Sequence, residues 1–131
     1  MAEVISVESK KQTEFIDITR EIERAVREKG ISEGICYLFV PHTTAGITIN
    51  ENADPNVVRD IQKELGKVIP MDDQYLHMEG NSAAHIKASI LGFSEIILVK
   101  DKKLMLGTWQ GIYFCEFDGP RRRKVFVKIV E

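Results

Sequence analysis

The chain has 131 residues, 44% of them hydrophobic, the size and composition of one globular domain with a real core. Its 18 Lys and Arg against 20 Asp and Glu leave a net charge of −2, without the basic excess of a nucleic-acid-binding domain; the one basic run, Arg121 to Lys124, is local. No apolar stretch reaches the roughly 18 residues of a membrane span, and MAEVISVESKKQTEF has no basic-then-apolar leader pattern, so a cytoplasmic protein with no membrane partner is expected.

In chain order, strands are expected over 3–8 and 13–18, with the polar Ser9 to Gln12 between them. A helix follows from about Thr19 to Lys29; Ile22, Ala25, Val26 and Lys29 share a face, and Gly30 stops it. GICYLFV (34–40) reads as a buried strand ended by Pro41, and GITIN (46–50) as a short alternating one. Asp54-Pro55 is a cap residue followed by proline at the first helical position. Val58, Ile61, Leu65 and Val68 then mark a helix ending before Pro70. After the polar Met71 to Asn81, a third helix starts at Asn81 or Ser82 and runs to Leu91, with Gly92 as its stop. A strand over 95–100, a turn at Asp101-Lys102, one or two strands over 104–118 and a last alternating strand over 122–130 complete the chain. Cys36 and Cys115 lie in apolar runs without CxxC spacing and read as reduced, buried thiols. About eight strands cluster at both ends, and three helices do not alternate with them. That pattern predicts an α+β fold, a mostly antiparallel sheet or sandwich, in a single domain over 1–131. No GxGxxG or Walker pattern argues for a βαβ-wound alternative.

All three histidines sit in short polar segments rather than apolar runs. His42 lies in PHTTAGITINEN, where Thr43 and Thr44 offer hydroxyls and amides, Gly46 permits close approach of a ligand, and Glu51 follows within one strand. His77 and His85 flank Asn81 in HMEGNSAAH, with His85 about one turn into the third helix, near its positive end. In LGTWQG, two glycines break a strand pattern; Trp109 reads as a core or interface anchor and Gln110 as a ligand contact. In EFDGPRRR, Glu116 and Asp118 alternate with Phe117 and so face one side of a strand. Beside Arg121 they suit a metal and a phosphate, although Arg122 and Arg123 also read as a solvated hairpin end. Three imidazoles with acids suit a divalent metal, Zn by ligand type or Mg by phosphate chemistry, or an acid/base centre acting on a small phosphorylated substrate. A zinc-type hydrolase with Glu51 or Glu116 as base, and a non-catalytic metal- or metabolite-binding protein, remain open alternatives.

The runs PHTTAGITINEN, HMEGNSAAH, SEIILVKDKKLMLGTWQGI and EFDGPRRR together resemble the YjbQ family, also called UPF0047, over nearly the whole chain. Lys102 departs from the glycine usual at that turn in the family. The resemblance implies an α+β homotrimer with polar sites near the subunit interfaces. It also implies a weak thiamine-phosphate-synthase-like activity, joining a pyrimidine pyrophosphate to a thiazole phosphate with release of pyrophosphate. It carries His42, His77 and His85 over as catalytic or metal-binding groups. Glu51, Asn81, Gln110, Glu116 and Arg121 lie inside matching motifs.

Overall fold

Alternating burial along the strands sorts the chain into two antiparallel sheets in the computed structural model, which describes residues 2–131. The strands are β1 (Glu3–Glu8), β2 (Glu14–Asp17), β3 (Glu33–Phe39), β4 (Ala45–Glu51), β5 (Ser94–Lys100), β6 (Lys103–Leu104), β7 (Gln110–Glu116) and β8 (Arg122–Val130). The helices are α1 (Thr19–Lys29), α2 (Pro55–Val68) and α3 (Ser82–Leu91). The larger sheet has the order β1-β8-β3-β5-β6 and the smaller β2-β7-β4, and every pairing is antiparallel. The fold is therefore the expected single-domain α+β sandwich with three helices. One boundary moves: Leu104 belongs to β6, and residues 105–109 form an irregular strap before β7.

The core lies between the sheets. Cys36 and Leu38 of β3, Ile47 of β4, Ile97 and Val99 of β5, and Ile112 and Phe114 of β7 meet there; Val125, Val127 and Ile129 of β8 join them, with Ile22 and Val26 of α1. The opposite side of β7 carries Tyr113 and Cys115, which with Phe117 pack against Val58 of α2 and Ala84 and Ala88 of α3. Both cysteines are buried and free, and burial raises the Cys36 thiol to about 11.

Local chemistry sets the helix ends. Gly30 takes the left-handed conformation at φ 73°, and its N–H donates to the Val26 carbonyl at 3.2 Å. Asp54 caps α2 by accepting from the Asn56 N–H at 2.9 Å, with Pro55 opening the helix. No helix among the described residues is long and apolar enough to cross a membrane.

Candidate functional site

The residues expected to form one site divide between two ends of the molecule. β4 and β7 run antiparallel, with Ala45 opposite Glu116 at one end and Glu51 opposite Gln110 at the other. Strands of this length span about 20 Å. Glu51 and Gln110 therefore stand far from the histidines within one chain. Glu51 offers its carbonyl to the Tyr113 hydroxyl at 3.2 Å. Gln110 folds back on its own strap, its Oε1 accepting from the Gly107 N–H at 2.8 Å.

At the other end, Pro41 breaks β3 and the chain crosses to the smaller sheet at a corner that carries His42. Together with Thr43, Ala45, His85, Ser89 and Phe93, His42 lines a cleft of about 280 Å³. His42 Nε2 accepts a hydrogen bond from the Lys124 backbone N–H at 2.9 Å, which assigns the proton of the neutral ring to Nδ1. Burial lowers the His42 pKa below the ordinary histidine value, and Arg123 lowers it further against the opposing pull of Glu116. His42 is thus a neutral donor near neutral pH. His85 stands in the first turn and a half of α3, and the ring of His77 meets it edge-on with centroids 5.3 Å apart. His77 itself is exposed, 3.9 Å from Glu79. Asn81 caps α3 without a side-chain bond to it; its Nδ2 donates to Asp118 at 2.9 Å, while Oδ1 is buried with no partner.

Several expected contacts are already taken by the protein. Glu116 does not face a ligand beside Asp118. Its side chain is fully buried, Oε1 accepts from Ser9 and from Arg123 Nε, both at 2.8 Å, and Oε2 accepts from the Asp118 N–H at 3.0 Å. Thr44 is buried too, with its hydroxyl accepting from Arg123 at 2.8 Å, so Thr43 alone of the pair lines the cleft. Arg121 spends its fork on Asp118, Nε on the carbonyl and Nη2 on the carboxylate, both at 3.0 Å. The close approach at Gly46 is to protein: a Cβ there would lie 2.7 Å from the Gly92 carbonyl, whose oxygen accepts from the Ile47 N–H at 3.0 Å.

Within one chain the three histidines do not come together as a three-ligand metal centre. Among the described residues no group of three His, Cys, Asp or Glu side chains stands close enough to hold a metal ion. Binding metal through His42 Nδ1 would move the proton to Nε2, against the Lys124 N–H. The arrangement offers hydrogen-bond donation from His42 and proton transfer by His85 in a small cleft of mixed polarity. Unforeseen from the sequence were Ser89 and Phe93 as cleft walls and the Lys124 amide as the anchor of His42. Phe93 follows Gly92, which turns the chain out of α3 and back past the cleft.

Residues 3–131 match the family described as UPF0047 protein YjbQ-like. The chain is 50% identical to UPF0047 protein YugU of Bacillus subtilis, with 99% of each chain covered. It is 54% identical to a UPF0047 protein of Methanocaldococcus jannaschii, covering 95% of this chain and 90% of that one. Among solved structures, a YjbQ/UPF0047 family protein of Clostridium acetobutylicum superposes with a TM-score of 0.96 at 58% identity, over 98% of this chain and 99% of that one. A YbjQ-like protein of unknown function from Sulfolobus solfataricus superposes at 0.94 with 36% identity, over 98% and 95%.

Proposed function

The chain belongs to the UPF0047 YjbQ-like family, and from that premise we propose that the His42–His85 cleft binds a small phosphorylated molecule and acts on it by hydrogen bonding and proton transfer. The observation that carries the reading is the bond from the Lys124 N–H to His42 Nε2. It leaves a neutral ring with one donor, Nδ1–H, at a cleft shared with a second histidine. A neutral donor stabilises charge that develops on a leaving oxygen.

The finer assignment, drawn from the family resemblance, is a thiamine-phosphate-synthase-like transfer. The pyrimidine–pyrophosphate C–O bond breaks with its electron pair leaving on pyrophosphate, and the thiazole nitrogen supplies the new bond. His42 and His85 would donate to the departing pyrophosphate oxygens. The test is thiamine phosphate formation from the two substrates by the wild type, His42→Ala and His85→Ala. Each variant should fold yet lose on the order of 10²-fold or more in turnover, as expected for a removed acid/base group. Full turnover in His85→Ala sinks the catalytic assignment. A wild type that forms no product but binds inorganic pyrophosphate, with binding lost in His42→Ala, rejects the transfer and keeps the binding site.

Assembly as a cytoplasmic homotrimer is part of the same proposal. Its support on the molecule is the outer face of the larger sheet, where Val4, Tyr37, Phe39, Ile96 and Leu98 are all exposed. Apolar patches of this kind mark protein contacts. Phe93 joins that face to the cleft, its ring edge-on to Phe39 at 5.4 Å, so copies packed there would close the cleft's rim. Light scattering should give the mass of three 14.9 kDa chains; a monomer at micromolar concentration rejects the trimer.

A further inference from the structure

A second groove, of about 670 Å³, opens at the Glu51–Gln110 end of the β4–β7 pair, the end away from His42. Its size falls within the roughly 300–1,000 Å³ of small-molecule pockets. One wall is a single stripe of α1, Thr19, Glu23 and Arg27, at successive four-residue steps. The other wall is the β5–β6 hairpin and the strap behind it, contributing Lys102, Lys103, Leu104, Leu106, Thr108 and Gln110.

The three cations of the lining gather at one end of the groove. Arg27 lies in the last turn of α1, and the Lys102 N–H reaches the Ser32 carbonyl just beyond that helix, so Arg27, Lys102 and Lys103 share one end. None of the three has a carboxylate within salt-bridge distance among the described residues, although Glu23 and Asp101 also line the groove. The other end, near the start of α1 and the start of β7, carries the amides of Asn52 and Gln110 with the hydroxyl of Thr108. Both amides are held in place. Gln110 is pinned through Oε1 to Gly107, which leaves its NH₂ free to donate. Asn52 lies over Gly111, where a Cβ would come within 2.4 Å of its Nδ2, so the glycine creates its seat. Lys102 occupies a left-handed position, φ 63°, after Asp101 at 52°, a hairpin turn that glycine enters without strain. The chain thus carries a cation where the backbone favours a residue with no side chain.

We propose that this groove is a second binding site, distinct from the histidine cleft, for a small phosphorylated metabolite with a hydroxyl-rich body. The phosphate sits among Arg27, Lys102 and Lys103, since guanidinium and ammonium groups both recognise phosphate oxygens. The hydroxyls pair with Asn52, Thr108 and Gln110.

Trp109 provides the readout, because it is the only tryptophan of the chain, is 63% exposed, and sits between Thr108 and Gln110. Its emission is followed while ribose 5-phosphate is added at low salt, with ribose, inorganic phosphate and inorganic pyrophosphate in parallel. A saturable change with ribose 5-phosphate is expected, tighter than with inorganic phosphate and absent with ribose. Arg27→Gln with Lys103→Gln should weaken it tenfold or more, and Lys102→Gly, which also relaxes the turn, threefold or more. His42→Ala should leave it unaltered, so failure here and failure at the histidine cleft are separable. Silence toward both ribose 5-phosphate and pyrophosphate overturns the site, as does undiminished binding in Lys102→Gly or in a folded double variant. Equal affinity for inorganic phosphate removes Asn52, Thr108 and Gln110 from the ligand.

Discussion

Arg123 reaches across the sandwich from β8 to Glu116 at the end of β7, Nε to Oε1 at 2.8 Å, with side-chain exposures of only 3% and 0%. The pair joins the two sheets at the edge where the chain carries His42. Ser9, Thr44 and the Asp118 N–H complete its hydrogen bonds, so neither charge is left unmatched. Removing one member strands the other in a dry site, which costs about 3–5 kcal/mol in comparable cases. Arg123→Met should therefore lower stability by about that amount in urea titrations. A loss below about 1 kcal/mol would show that water reaches Glu116 readily.

The same pair sets an acid limit. Burial pushes the Glu116 carboxyl up, but the bonds from Arg123, the Asp118 amide and Ser9 outweigh it and hold the pKa below the usual carboxylate range. A depressed carboxylate contributes stability that is fully present above its unfolded value, about 4.3, and is lost as pH falls through the lower folded value. Thermal unfolding of Glu116→Gln should show a smaller fall in Tm below about pH 4 than the wild type. Parallel acid profiles would mean that Glu116 is not ionised in the fold.

His42 should titrate below the ordinary histidine value of about 6.5 and carry its proton on Nδ1 when neutral. Protonation would place an N–H on Nε2 against the Lys124 N–H and is disfavoured by burial and by Arg123. Because the folded pKa is lowered, the unfolded chain binds the proton first, and stability falls as pH drops from about 6.5 toward the folded value. Nitrogen-detected NMR of the histidine rings reads both the tautomer and the midpoint. A neutral Nε2–H ring, or a midpoint above 6.5, contradicts the anchoring role given to Lys124.

Much of the fold was legible because its signals are local. The apolar stripe of α1 followed by Gly30, and Asp54-Pro55 ahead of α2, are written within one or two turns of chain. The site was less legible because strand pairing is not local. Nothing within PHTTAGITINEN shows that β4 pairs with β7 along its full length, which carries Glu51 to the far end from His42. The burial of Arg123 did have a signal: it falls in phase with Val125, Val127 and Ile129 on the inward face of β8, a phase that a solvated hairpin end would not keep. Its partner Glu116 likewise falls in phase with Ile112 and Phe114. Strand alternation read across the turn at Gly119-Pro120 identifies both charges as interior.

Phe39 gives the most direct test of the outer sheet face. Its ring stacks on that of Phe126, its partner across β3 and β8, at 6.4 Å, and meets Phe93 edge-on. Phe39 is 44% exposed, so an aspartate there points outward and needs no burial in a lone chain. Between packed copies the same carboxylate would lose its water without a partner, a penalty of several kcal/mol per site. Phe39→Asp should therefore keep its circular dichroism spectrum while sedimentation velocity shows a shift toward monomer at micromolar concentration. Phe39→Leu, which stays apolar, should retain the wild-type mass. An assembly unchanged by the aspartate places the contact elsewhere, and a monomeric wild type removes it altogether.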